Sequence, residues 1–208
     1  MAEHYKLQYF PLRGLGELPR LLLHLAGQPF EDDRIQQRIW PELKASTPFG
    51  TLPVLEEDGD QLSQSGAIIR YLAHKFGFDG DDEWERAQID ALYCQIRDFY
   101  DEVRPWFLAV TGRGPGEPAE LYEKLIEPLR EKLFALLERY LMKSDSGYLV
   151  GKHISYVDLL VAEHLETMDK LVGAKYTAGR PLIAAIRQKV YQHPRLTDYI
   201  RKRPQSDF

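Results

Sequence analysis

Apolar and polar residues alternate between Tyr5 and Phe10, with Leu7 and Tyr9 on one side and Gln8 and Phe10 on the other. That period of two predicts a strand. Pro11-Leu12-Arg13-Gly14 predicts a turn, and residues 16–26 a helix stopped by Gly27 and Pro29. Phe30–Ile35 reads as a second strand, and 41–46 as a short helix with Pro41 in its first turn. Pro53–Glu57 and Gln61–Ser63 read as a hairpin around Asp58-Gly59-Asp60. Ser65 is predicted to cap a helix carrying Ala67, Ile68, Tyr71 and Leu72. Strand, helix, strand, hairpin and helix in this order suit a small α/β domain with a mixed sheet.

Residues 77–83, Gly-Phe-Asp-Gly-Asp-Asp-Glu, read as a linker. Beyond them the pattern is helical: 84–110, 119–142, Ser155–Val172, 181–191 and a short helix from about Arg195. The predicted division is therefore an α/β domain at 1–78 and an all-helical domain at 84–208.

Composition removes several function classes. Lys and Arg total 27 against 32 Asp and Glu, and neither half is basic, so the electrostatic footprint of a nucleic-acid binder is missing. A single cysteine, Cys94, excludes an internal disulfide framework and a multi-cysteine metal site. The histidines (His4, His24, His74, His153, His164, His193) form no close pair at metal-ligand spacing. The most apolar stretch, Leu18 to Ala26, holds Pro19, Arg20 and His24 and falls far short of the ~20 apolar residues of a membrane span. The N-terminal Met-Ala-Glu-His-Tyr-Lys lacks a basic region followed by an apolar run, so a cytoplasmic location is expected.

The candidate chemistry sits at element boundaries. Arg13-Gly14-Leu15-Gly16 lacks the third glycine and the trailing Lys-Ser/Thr of a phosphate loop and reads as a permissive strand-to-helix turn. Tyr9 closes the first strand. Trp40, Lys44, Leu52-Pro53 and Gln64-Ser65 follow, each ordinary alone and each at the end of an element, where small α/β domains hold ligands. Ser155-x-x-Asp158, with Ile154 and Leu159 flanking, reads as a structural capping box.

These residues carry a resemblance over essentially the whole chain. Tyr5-Lys6-Leu7-Gln8-Tyr9-Phe10, Arg13-Gly14, Trp40-Pro41-Glu42-Leu43-Lys44, Pro48 to Glu56, Gln64-Ser65, Ile154 to Leu159 and Arg201-Lys202-Arg203-Pro204-Gln205 together resemble the cytosolic glutathione transferases. They are most similar to the sigma-like class, which includes the glutathione-dependent prostaglandin D synthase. The resemblance implies a thioredoxin-like N-terminal domain, an all-helical C-terminal domain and a homodimer. It implies glutathione as co-substrate with no tightly bound cofactor, and conjugation to small electrophiles. Prostaglandin isomerase action and ligandin-like carriage of haem or other apolar ligands are the alternatives.

By the same resemblance, Tyr9 is the catalytic phenol that donates to the glutathione sulfur. Trp40 and Lys44 take the glycine carboxylate. Leu52, before a cis Pro53, offers its backbone to the cysteinyl part. Gln64 and Ser65 hold the γ-glutamyl end, and Asp98 reaches the ligand of the neighbouring subunit. Taken without the family, Asp98 is an exposed helix carboxylate that Arg97 or Arg104 could pair with. Phe10, Leu15, Trp106 and Phe107 are expected to line the electrophile pocket, with Arg13 a possible auxiliary. Leu15 stands where many sigma-class members carry Arg. Thr51 stands where the prostaglandin synthase has Lys, and Cys94 and Arg97 replace two of its three cation-binding carboxylates. No metal is therefore expected.

Overall fold

The alternation at the N-terminus resolves into β1, Tyr5–Tyr9, which buries Tyr5, Leu7 and Tyr9 and leaves Lys6 and Gln8 half-buried. This computed structural model describes residues 3–206 and 208; Met1 and Ala2, which open the segment read for a leader, lie outside the described residues. β2 (Phe30–Arg34) pairs parallel to β1, with Tyr5 beside Phe30 and Tyr9 beside Arg34. β3 (Val54–Glu57) pairs antiparallel on the other side of β1, and β4 (Asp60–Ser63) closes its hairpin, giving the order β2-β1-β3-β4. Only Asp58 and Gly59 form the turn, at φ 49° and 96°; Asp60 belongs to the strand. A two-residue turn with both central residues left-handed matches the twist of the strands it joins. The edge strand β2 carries Glu31, Asp32, Asp33 and Arg34, charges that discourage edge-to-edge pairing.

A 3-10 turn at Gly14–Gly16 leads into α1 (Glu17–Ala26), which Gly27 ends at φ 69°. α2 (Trp40–Leu43) runs on as a 3-10 turn, Lys44–Ser46. α3 spans Ser65–Phe76 with Gln64 at its N-cap, so Ser65 is the first helical residue and not the cap. The predicted linker is pinned: Asp79 is buried, its carboxylate accepts from Arg86 Nε at 2.7 Å and lies 2.9 Å from His74 Nδ1.

α4 (Glu83–Val110) starts on the Asp82 side chain, which accepts from the Glu85 N–H, and continues through Pro105. The segment predicted as one helix over 119–142 is interrupted. α5 (Pro118–Leu121) passes into a π turn at Tyr122–Ile126 before α6 (Glu127–Leu141). Pro128 has no N–H to continue the ladder, and the Glu127 N–H bonds Tyr122 O five residues back. α7 (Tyr156–Val172), α8 (Pro181–Tyr191) and α9 (Pro194–Lys202) complete the helical part, with an unpredicted 3-10 turn at Ala174–Thr177. The architecture is a thioredoxin-like domain with a mixed four-stranded sheet, followed by a helical domain. One apolar core runs through both, from Tyr5 and Leu7 to Ile186 and Leu196, with α1 touching α3, α7 and α9.

The capping box forms as predicted, with the carboxylate as its centre. Asp158 accepts from the Ser155 N–H and hydroxyl, each at 2.8 Å, and from the Leu149 N–H at 2.8 Å. Ile154 and Leu159 are buried beside it. Burial pushes the Asp158 carboxyl up to about 6, against these three donors. Asp158→Ala leaves buried donors without an acceptor, at ~1–3 kcal/mol each. We expect a loss of about 2–4 kcal/mol in chemical denaturation. Because the folded carboxyl titrates above the unfolded one, its stabilising share is fullest below the ordinary carboxylate range and declines as pH rises through about 6. The deficit of Asp158→Ala should therefore be larger at pH ~5 than at pH ~8, and an equal deficit at both would reject this account.

Candidate active site

Tyr9 ends β1, and the chain then turns so that the 3-10 segment folds back over its ring. The glycines there permit the approach. A Cβ on Gly16 would stand 2.5 Å from Tyr9 Cδ1, and one on Gly14 would stand 2.7 Å from the Tyr9 hydroxyl. Gly14 also adopts φ 40°, which L side chains rarely take. The Arg13-Gly14-Leu15-Gly16 motif is thus a cover for a tyrosine. The Leu15 N–H donates to the Tyr9 hydroxyl oxygen at 3.1 Å. One acceptor site of that oxygen is filled, and its own proton stays available to donate. Burial raises the Tyr9 phenol above its ordinary value, and the Leu15 N–H and the charges of Arg20 and Arg113 oppose the rise. The net direction is upward, so the group is a neutral donor at pH 7.

Tyr9 opens on a cavity of about 460 Å³ between the two domains. Of the predicted site residues, Tyr9, Phe10, Arg13, Leu15, Ser65, Trp106 and Phe107 line it. Trp106 does so from within the core, where it is 2% exposed and meets Tyr122 edge-on. Phe10 contacts Tyr9 on one side and Trp40 on the other, at ring separations of 5.7 and 5.9 Å. Trp40 is thereby tied to the C-terminal end of β1 although it is not in the cavity wall. Lys44 is exposed, and Gly50 packs under its stem: a Cβ there would meet Lys44 Cε at 3.4 Å. Leu52–Pro53 is cis, and Leu52 precedes the paired part of β3, which leaves its N–H and C=O outside the ladder.

Gln64 holds φ 78° and ψ 113°, a costly backbone for a residue with a side chain. It places Ser65 and Gly66 at the start of α3, ahead of the first intrahelical N–H donor. Ala67 and Ile68 already donate to Gln64 O, while the two N–H groups before them precede the ladder. That end of the helix favours an anion. Asp98 lies exposed on α4, and no ion pair joins it to Arg97 or Arg104 among the described residues. The local pairing that would make Asp98 ordinary is absent there.

Arg13 is 3% exposed and donates to Glu163 of α7 at 2.8 Å. It belongs to a buried cluster that bridges the domains. Arg203 donates to Glu17 at 2.8 Å and to Glu163 at 2.6 Å; Arg20 donates to Glu17 at 3.2 Å, to Asp32 at 2.9 Å and to the Leu12 carbonyl at 2.8 Å. Several wall residues escaped the sequence reading, among them Tyr100, Arg113, Glu163, His164, Met168 and Phe208. Phe208 meets Phe107 at 5.4 Å beneath the Arg113 guanidinium. Their spacing in sequence gave no signal, because they come from α4, the loop after it, α7 and residues beyond α9.

The site is thus a neutral phenol donor and a helix N-terminus at a mostly apolar cavity across the domain junction. Residues 16–82 match the family described as glutathione S-transferase, N-terminal domain, and residues 98–203 match glutathione S-transferase, C-terminal domain. The chain belongs to the glutathione S-transferase family. It is 40% identical to glutathione S-transferase 1 of Ascaris suum, covering 98% of each chain, and 40% identical to glutathione S-transferase 3 of Caenorhabditis elegans, covering 99% of each. Among solved structures, it matches a Nu-class transferase of Haemonchus contortus (44% identity, TM-score 0.92) and a monomeric transferase of Necator americanus (41%, TM-score 0.94), covering 99% of this chain and 100% of theirs. It also matches prostaglandin synthase D of Nilaparvata lugens at 35% identity and TM-score 0.86, covering 98% of this chain and 100% of that one. This transferase is an enzyme that uses glutathione as co-substrate, with no tightly bound cofactor.

The Gly16 contact gives a direct test of the tyrosine cover in the transferase. Gly16→Ala forces the Tyr9 ring to move, and a displacement of about 1 Å can cost ~100-fold in rate. We expect turnover to fall at least ~10-fold and the overpacking to lower stability by ~1–3 kcal/mol. Unchanged turnover would mean that the turn does not position Tyr9.

Proposed function

We propose that this transferase conjugates the glutathione thiolate to apolar electrophiles seated in the interdomain cavity. The observation that carries the reading is the Tyr9 hydroxyl, buried, neutral and held by the Leu15 N–H so that its proton is free. The sulfur forms a bond to the electrophilic carbon. A halide leaves with the bonding electron pair, or an enone takes the pair as an enolate that solvent protonates. A free thiol has a pKa of ~8.5, and lowering it two units needs ~2.7 kcal/mol. One charge-assisted hydrogen bond supplies ~1.5–3 kcal/mol, so the Tyr9 phenol provides most of it.

In this reading, Lys44 and the Trp40 indole hold the glycine carboxylate, and the free backbone of Leu52 before Pro53 pairs with the cysteinyl part. Gln64 and Ser65 hold the γ-glutamyl end at the N-terminus of α3. Asp98, exposed and unpaired locally, acts on the ligand of a second copy in a homodimer. We place the domain division at residues 78–83, and the enzyme in the cytoplasm, where the glutathione pool lies. The sigma-like assignment rests on the Tyr9, Trp40, Lys44 and Gln64-Ser65 pattern. Greater likeness to the Haemonchus transferase than to the Nilaparvata prostaglandin synthase favours conjugation over prostaglandin isomerisation. The free phenol favours catalysis over carriage of haem or other apolar ligands.

Tyr9→Phe removes one hydroxyl and little volume. Turnover should fall ~10–1000-fold, and thiolate absorbance of the glutathione complex, titrated against pH, should show the thiol pKa returning towards ~8.5. An unchanged thiol pKa rejects the role of Tyr9.

Asp98 is tested by mixing subunits. A heterodimer of Lys44→Ala and Asp98→Ala chains concentrates both lesions on one site and leaves the other intact. Titration with glutathione should then give one site of wild-type affinity. Two equally weakened sites would show that Asp98 does not act across an interface.

A further inference from the structure

Most of the cavity wall is apolar, but one stretch of it is not. His164, on α7, is 5% exposed and lines the cavity with its ring between those of Phe99 and Tyr100, at 5.4 and 5.5 Å. Its Nε2 lies 2.7 Å from the Tyr176 hydroxyl. The other ring nitrogen, Nδ1, has no hydrogen-bond partner among the described residues.

The tautomer follows from satisfying the buried groups. Tyr176 is 1% exposed, and burial holds its phenol well above the ordinary value, so it keeps its proton. His164 is the one hydrogen-bond partner of that hydroxyl among the described residues. If His164 Nε2 donated to Tyr176, the phenolic proton would be buried without an acceptor, an outcome folded proteins avoid. Tyr176 therefore donates to Nε2. Burial also pulls the imidazole down to about 3, so the ring is neutral and carries one proton. With Nε2 accepting, that proton is on Nδ1.

We propose that His164 Nδ1–H is a hydrogen-bond donor of the electrophile pocket that selects substrates bearing an acceptor oxygen, such as conjugated enones, over equally apolar substrates without one. The inference rests on the transferase reading of the cavity. An acceptor oxygen brought into this wall gains a hydrogen bond in a site of low dielectric, whereas a substrate lacking one leaves the donor unpaired. Ligand pockets of this kind use a few placed polar groups to fix orientation within an apolar lining.

The test compares two electrophiles of similar aromatic body, benzalacetone, which carries a ketone, and benzyl chloride, which does not. The readout is the ratio of their kcat/KM values. His164→Phe keeps the ring and removes the donor, but strips Tyr176 of its acceptor. The double variant His164→Phe with Tyr176→Phe removes that hydroxyl as well, and Tyr176→Phe alone keeps the imidazole. Loss of one hydrogen bond should lower the ratio ~10-fold in both His164 variants, and Tyr176→Phe, which frees the ring proton to move to Nε2, should lower it by no more than that. A ratio unchanged in the His164 variants overturns the proposal, as does a drop in Tyr176→Phe larger than that in the double variant. Turnover of benzyl chloride by the wild type, and its loss in Tyr9→Phe, tests the transferase reading separately.

Discussion

Buried charge joins the two domains, and the geometry of the active site depends on it. Three guanidinium groups, Arg13, Arg20 and Arg203, meet three carboxylates, Glu17, Asp32 and Glu163, across the junction between the sheet domain and the helices. Arg203, Glu17, Arg13 and Arg20 are all below a tenth exposed. Such a cluster adds little net stability over an apolar core of the same shape, but removing one member strands a charge at ~3–5 kcal/mol. Its value lies in what it fixes. Glu17 begins α1, Arg13 begins the turn before it, and Arg20 reaches back to the Leu12 carbonyl. The turn that carries the Leu15 N–H is therefore held at both ends, and the hydrogen bond to Tyr9 inherits that rigidity.

The chemistry of Tyr9 is a balance set by this frame. Burial alone would lift the phenol and keep it inert, while the Leu15 N–H and the charges of Arg20 and Arg113 pull the other way. The result is a donor that stays protonated at neutral pH yet sits where an anion is favoured. Arg20 thus serves twice, as a member of the junction and as a cation 5.8 Å from the Tyr9 ring centre. Fold stability and site electrostatics are coupled through one side chain.

Legibility in the sequence followed locality. β1, α1, the Asp58-Gly59 hairpin and the capping box at Asp158 were legible because each depends on residues within a few positions of one another. The cap of α3 was misread by one residue, since Gln64 takes a left-handed backbone that no propensity predicts and that only a site-forming constraint explains. The π turn before Glu127 was hidden because Pro128 suits the first turn of a helix as well as it breaks one. Glycines 14 and 16 were seen, but their reason, the Tyr9 ring, required the fold. His164, Tyr100 and Phe208 reach the cavity wall from three separate segments, and nothing in their spacing announces it.

The two readings of the cavity meet in this distinction between local and assembled features. The part that we propose handles glutathione is built mainly from ends of elements in one small domain: the end of β1, α2, the residue before β3 and the start of α3. A sequence pattern can carry such a site, because each piece stays with its own element. The proposed electrophile wall comes largely from α4 and α7, and Glu163 and Arg203 tie α7 to the first domain. Residues on those faces that make no contact with the junction cluster, unlike Glu163, can change without disturbing β1. His164 is such a residue: its neutral ring is fixed by Tyr176 and the aromatic contacts of the helical domain alone. The division of labour therefore lets the common reaction stay constant while the pocket that selects its second substrate varies.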